Sequence, residues 1–433
     1  MLRKRIQLGL IHVAVAMTLV PINSTLNRIL IKEMAVSATL VAVLAILPYL
    51  FSPVQVWIGS FSDRHPIGGY RRTPYILVGL LLCVVGVAVS PQVAFLIDQN
   101  RLLGTLMGIV IFGAWGMGYN FSAVSYLSLA SEISGEKGRG RTIAVMFVMM
   151  VIGIIFTALT VSNLVDPYTP QALQKAFLVV AIVAFGLGVI GILRLEEKIA
   201  LQTLSSSENY SWGQMFSVIL QNRQATFFFW YLVILLAALL GQDILLEPYG
   251  AEAFDMSVKT TTRITSIWGA CNLLTLILAG FLEGRVQKKR VARWGGWLTL
   301  VGFLLIFGSG LVRNVGIFYA GVLLLGSGTG LATVSNLSLM LDMTTPTNVG
   351  LYIGAWGMAN ALSRLIGTLL SGVVRDVVTQ LSQAPLSGYL TVFGIEAFFV
   401  ALSLVMLGRI SVEQFRSAST VSVVERAALA SDL

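Results

Sequence analysis

Charged residues are scarce in this chain. Asp, Glu, Lys and Arg make up 11% of its 433 residues, against about a quarter in a typical soluble domain. So few charges cannot cover the surface of a water-soluble fold of this length, which excludes the soluble classes. Cysteine and histidine are almost missing as well, with two of each. Cys83 and Cys271 lie inside apolar runs and read as small buried hydrophobes, so no disulfide framework is expected. Two histidines exclude a multi-histidine metal centre, and no metal-ion site is expected. What the chain has instead is apolar length: 56% of it is hydrophobic and its mean hydropathy is +0.84. These values predict an all-α polytopic membrane protein.

A membrane-spanning helix needs about 20 apolar residues. Twelve segments qualify: 6–31, 38–60, 73–96, 102–131, 141–163, 173–194, 225–248, 257–283, 293–312, 315–341, 349–374 and 386–409. Arg3-Lys4-Arg5 followed by an apolar run imitates a signal peptide, but the run continues past Ala16 to Ile22 and reads as an uncleaved first helix. The longest polar interval is 195–224, so the chain divides six plus six: an N-terminal bundle 1–194, a linker 195–224, a C-terminal bundle 225–410 and a tail 411–433. The net charge of +9 belongs to the loops rather than to a nucleic-acid surface. Lys and Arg concentrate at the N-terminus, in the 2–3, 4–5, middle and 8–9 loops and in the tail, which predicts both termini on the cytoplasmic side.

The two halves repeat. V-S-Y-L-S-L at 124–129 matches V-S-N-L-S-L at 334–339, and at the same offset Gly116, Gly118, Glu132 and Gly140 fall on Gly326, Gly328, Asp342 and Gly350. G-S-F-S-D-R at 59–64 matches G-F-L-E-G-R at 280–285. Duplicated six-helix halves are the plan of the major facilitator superfamily, and this twelve-helix, two-bundle fold is expected. The superfamily's cytoplasmic loop motif then accounts for Gly59, Asp63, Arg64, Gly69, Arg71 and Arg72. A carboxylate at Asp63 can sit on the positive N-terminus of span 11 near Gly350 while the arginines pair with acids, latching the halves together. Thr73-Pro74 would start span 3 as N-cap and first-turn proline. The alternative is a solvated basic loop that only sets topology.

Longer stretches resemble one branch of the superfamily, the PucC/LhaA or bacteriochlorophyll-delivery family: S-D-R-H-P-I-G-G-Y-R-R-T-P-Y-I at 62–76, L-N-R-I-L-I-K-E at 26–33, I-L-L-E-P-Y-G-A-E-A-F-D-M-S-V-K-T-T-T at 244–262, L-S-L-M-L-D-M-T at 337–344, G-L-Y-I-G-A-W-G-M-A-N-A-L-S-R at 350–364 and G-V-V-R-D at 372–376. The resemblance implies a non-enzymatic assembly factor of a photosynthetic membrane, thylakoid or intracytoplasmic, that hands chlorophyll or bacteriochlorophyll to light-harvesting or photosystem apoproteins. Chlorophyll synthase and lipid are further partners it suggests. Span 4 departs from the family pattern, ending L-A-S-E-I-S-G-E at 129–136, which leaves open which antenna or pigment is served.

Ionisable and polar groups within the spans are functional candidates by default. Arg364 lies 14 residues beyond Gly350, about 21 Å along a helix and so near mid-bilayer; it needs a carboxylate, a carbonyl, a lipid or a pigment group as partner. His12 offers a possible axial ligand to a chlorophyll magnesium, or a polar packing contact. With Asn23, Asn27 and Asn360 these are the candidate pigment contacts. Arg28 in span 1 opposes Asp243 and Glu247 in span 7 and would form a second gate at the non-cytoplasmic end, where Pro248 and Gly250 would end span 7; separate caps and headgroup contacts are the alternative. Glu132 is expected to pair with Arg139 or Arg141, and Asp342 with arginines of the 8–9 loop. Phe227–Tyr231 reads as an interfacial belt.

Two other function classes stay open. A proton-coupled transporter of a small metabolite needs a titratable carboxylate at the cavity centre, and the N-terminal half has none at mid-span. A structural photosystem subunit would bind no free pigment.

Overall fold

The structure, a computed structural model, describes the chain except residues 52–57, 59–60, 63–64, 199–216, 218, 221, 283–284, 345–348, 416 and 418–433. Among the described residues there is no strand, only an isolated bridge between Ile67 and Tyr70. Helix α1 (Leu2–Met17) continues through two π-helical stretches, Pro21–Leu26 and Ile29–Glu33. Then come α2 (Ala38–Leu50) and α3 (Thr73–Gln99). Helices α4 (Arg101–Gly135) and α5 (Arg141–Leu164) form one run that turns at Gly135, whose φ of 60° is open only to a residue without Cβ strain. Next are α6 (Pro170–Ile192) and α7 (Arg223–Gly241). The second half continues with α8 (Val258–Leu282), α9 (Lys288–Val312), α10 (Val315–Asp342), α11 (Val349–Ser382) and α12 (Pro385–Arg409).

Ten of these segments are long and apolar enough to cross a membrane. The other two are α2, which runs up to undescribed residues, and α11, which is long but carries Arg364, Arg375 and Asp376. Outward-facing apolar side chains such as Leu81, Phe156, Ile182, Leu274, Phe281 and Phe398 remain exposed, as a lipid-facing surface requires.

The duplication is visible in packing. A Cβ on Gly118 would sit 2.6 Å from the carbonyl oxygen of Gly79, and one on Gly328 would sit 2.7 Å from that of Gly295. The repeat-related glycines thus bring α3 against α4 and α9 against α10 at the same close approach. The halves meet where α2 packs on α11 and α5 on α8.

Three local expectations are corrected. Thr73 does not cap α3. The backbone N–H groups of Arg71, Arg72 and Thr73 donate to the Glu196 carboxylate at 2.8, 3.0 and 2.7 Å, because a carboxylate satisfies several orphan donors and the helix dipole together. Pro248 and Gly250 do not end span 7. The helix breaks earlier, in a 3₁₀ turn at Gln242–Ile244, and restarts as the short helix Leu246–Phe254. Pro248 fits its first turn, where no N–H is needed, and Tyr249 anchors it by donating to the Ile306 carbonyl at 2.8 Å. The Phe227–Tyr231 run is mostly core: Phe228, Phe229 and Tyr231 are buried, with Phe228 edge-on to Trp356, and Trp230 alone of the five is exposed.

Candidate functional site: a polar seam inside the membrane

Pro21 removes a hydrogen bond from α1 and crowds the carbonyl one turn earlier. The helix widens there into π turns, a common device at functional positions. The widened segment presents Ser24, Thr25 and Arg28 to the second half. The 3₁₀ break after α7 turns Asp243 towards Arg364, with Gln242 buried beside it.

Arg364 of α11 is the centre of the first cluster. Its Nη1 lies 3.4 Å from Asp243 Oδ2, and its guanidinium stands 4.5 Å from the ring centroid of Tyr49 on α2. Gln242 Nε2 holds the other carboxylate oxygen of Asp243 at 2.8 Å. Cation, acid and aromatic ring therefore come from three helices in both halves. The two charged side chains keep 23% and 31% of their surface exposed, so the pair is part-buried where the bundles meet. Asn360, one turn before Arg364, is exposed on α11, and a Cβ at neighbouring Gly357 would meet open space.

A second cluster lies nearer the end remote from the termini. Glu247 is buried and accepts from Ser24 of α1 and from Thr265 of α8, the latter at 2.6 Å. Thr25 and Thr262 meet at 3.2 Å beside it. Asn23 Oδ1 and Glu247 Oε2 are buried with no hydrogen-bond partner, which leaves acceptor capacity inside the seam.

The same end is closed by further bonds between the halves. Arg28 donates to the Met256 carbonyl at 3.1 Å, Lys32 pairs with Glu252 at 2.6 Å and Lys259 with Asp166 at 2.7 Å. Asp376 of α11 accepts from the backbone N–H groups of Ala38 and Thr39 at 3.1 and 2.7 Å, and from the Thr39 hydroxyl at 2.7 Å. A carboxylate of one half thus caps the first turn of α2 in the other. At the end carrying both termini the described bonds stay within a half: Arg72 to Glu132 at 3.0 Å, Lys4 to Glu197 at 3.0 Å, Lys288 to Asp342 at 2.8 Å.

Several expected pairings change. Arg28 does form cross-half contact, but its ion pair is with Glu33 of its own helix; Asp243 is drawn to Arg364 and Glu247 to hydroxyls, because the π turns rotate Arg28 towards Met256. Glu132 pairs with Arg72 and Arg71, the arginines that α3 places against the end of α4. Asp342 pairs with Lys288 of the 8–9 loop rather than with an arginine there. Asp63 and Arg64, and the surroundings of Arg139 and Gly350, lie outside the described residues. Asn27 is buried and bonds the Asn23 carbonyl at 2.8 Å. His12 is 6% exposed, wedged between the rings of Tyr126 and Phe147, with Nδ1 unpartnered. The imidazole is thus enclosed by two rings, while the Asn360 amide stands exposed on α11.

Two acids escaped the sequence reading. Glu396, in the middle of α12, is buried with Ser371 Oγ at 3.2 Å and Oε2 unpartnered; the signal was a lone carboxylate within the apolar run 386–409. Asp376 sat just beyond the end assigned to span 11.

With this geometry in place, comparison with known proteins is informative. A family model described as PUCC protein matches residues 25–415. Protein PucC of Cereibacter sphaeroides is 30% identical over 422 residues, covering 94% of this chain and 91% of that protein. The bacteriochlorophyll synthase 44.5 kDa chain of Rhodobacter capsulatus is 23% identical, covering 92% and 93%. Among solved structures, a bacterial homolog of the human lysosomal transporter Spinster, inward-facing and unoccupied, superposes with a TM-score of 0.75 at 10% identity, covering 96% of this chain and 97% of that one. The fold is that of the major facilitator superfamily.

Proposed function

The chain belongs to the PucC family, matched from residue 25 to residue 415, and on that premise we propose that it is a membrane factor that holds a chlorophyll-type pigment between its two bundles and passes it to pigment-binding membrane proteins. The membrane is a photosynthetic one, with both termini cytoplasmic. The observation that carries the reading is the Arg364 cluster: hydrogen-bond donors and a stacking tyrosine at mid-span, part-exposed between the halves. A flat, apolar macrocycle edged with carbonyl groups suits such a site. Arg364 would bind a peripheral carbonyl, Tyr49 would lie along the ring, and Asn360 would supply an oxygen towards the metal; Asn23 lines the seam on the α1 side. The pigment brings its own photochemistry, and the chain binds, orients and releases it.

An absorption spectrum of the protein purified in mild detergent tests this. Expected is bound chlorophyll-type pigment in the wild type and at least about tenfold less in Arg364→Ala, from the loss of a charge-assisted hydrogen bond. A colourless wild-type protein that associates with no pigment protein would overturn the reading.

One observation favours a second reading, a secondary transporter. Glu396 puts a buried carboxylate at the middle of α12, and Asp243 puts another beside Arg364. Exchange of a water-soluble solute in liposomes by pigment-free protein would decide for it.

A further inference from the structure

At the end that bears the termini, one corner of the C-terminal half gathers positive charge that no described acid pairs with. In the N-terminal half the described acids Glu132, Glu196 and Glu197 are each engaged. Arg72 and Arg71 lie 3.0 and 3.6 Å from Glu132, Lys4 lies 3.0 Å from Glu197, and Glu196 takes the backbone N–H groups at the start of α3. In the C-terminal half, Arg223 and Arg409 border one recess of about 420 Å³ together with Asn222, Gln224, Phe227 and Gln414. Neither arginine forms an ion pair with a described residue. Glu413, the nearest acid in that stretch of described chain, is exposed and forms none either. Lys289 adds positive charge to the same corner, its ammonium on the carbonyls of Gly408 and Ile410 at 2.9 and 2.7 Å.

Position supplies the second half of the argument. Arg223 is the first residue of α7 and Arg409 the last of α12. Both stand where apolar span gives way to polar chain, at the depth of lipid headgroups. The recess opens between two neighbouring helices, and its volume lies within the range of small-ligand sites. Gln224 and Gln414 are bonded to each other at 2.6 Å, which fixes the wall between the arginines. Phe227 offers apolar surface below them, where an acyl chain would begin.

We propose that this recess binds a phosphate group, held between Arg223 and Arg409, with an anionic phospholipid headgroup as its natural source. Two guanidinium forks suit phosphate oxygens geometrically, and basic pockets at the ends of spans are sites of anionic-lipid recognition. The assignment is independent of the pigment reading.

The test uses the full-length protein, delipidated in detergent and returned to nanodiscs of phosphatidylcholine with or without phosphatidylglycerol. Native mass spectrometry counts retained lipid. Expected is preferential retention of phosphatidylglycerol by the wild type. Arg223→Gln with Arg409→Gln should weaken that preference at least about tenfold, the loss of two charge-assisted contacts, with phosphatidylcholine unaffected. Arg223→Lys with Arg409→Lys keeps the charge and should lose only part of it. In a parallel arm inorganic phosphate competes against the lipid. Displacement at low concentration assigns the site to free phosphate, and resistance assigns it to the headgroup. Equal retention by wild type and the glutamine double variant, with no effect of phosphate on either, would overturn the proposal. Both side chains are exposed, so the variants are expected to fold.

Discussion

Arg364 sits at a depth where a solitary guanidinium would be costly, and groups from two other helices reduce that cost: Asp243 beyond α7 and the ring of Tyr49 on α2. Asp243→Asn is therefore expected to lower stability by roughly 1–3 kcal/mol, in the lower part of the range for broken ion pairs because both partners are part-exposed. Adding Arg364→Gln should recover some of the loss. Thermal unfolding of the four proteins in one detergent gives the coupling energy, and strictly additive losses would mean that the two charges do not interact. Ser24→Ala removes one of the two hydroxyls that hold the buried Glu247 and should cost about 1 kcal/mol, read in the same assay. Arg364 and Glu247 were legible in the sequence because an ionisable residue in an apolar run needs no alignment to stand out. Their partners were not. A sequence gives depth along a helix, whereas the facing residue depends on how two helices are rotated, so the pairing of Arg28 with Glu33 was not legible.

Elements show the same limit at their ends. The start of α3 was placed correctly, but its cap comes from Glu196, more than 120 residues away in the chain. Glu196→Ala should free three backbone donors and destabilise that end by about 1 kcal/mol or more. Faster amide exchange at residues 71–73, with the rest of α3 unchanged, is the expected signature; unchanged exchange would show that water replaces the carboxylate at no cost. The π turns of α1 were signalled by Pro21, yet a proline allows a kink, a break or a bulge. Packing against α8 and the short helix after α7 selects the bulge, since it is what turns Ser24 onto Glu247 and Thr25 onto Thr262.

For the whole molecule, the cross-half bonds at the end remote from the termini make a closed gate of which the Asp376 cap on α2 is the most concentrated part. Asp376→Asn keeps the shape and removes the charge. A loss of about 1 kcal/mol there shifts the closed-to-open ratio roughly fivefold. Spin-label distances between the ends of α2 and α11 at that face should broaden towards longer values, and an unchanged distribution would show that the other seam contacts hold the gate without it.

The sequence by itself determined the class, the order of the apolar segments, the duplication and the family, because these follow from hydropathy, period and motif, which are local properties of a chain. Tertiary structure alone decided which acid meets which cation, that α2 is capped from the opposite half, and that His12 is sealed while Arg364 keeps part of its surface exposed. Those outcomes depend on the rotation and separation of helices far apart in sequence, and each is settled by many packed contacts acting together rather than by any one residue's chemistry.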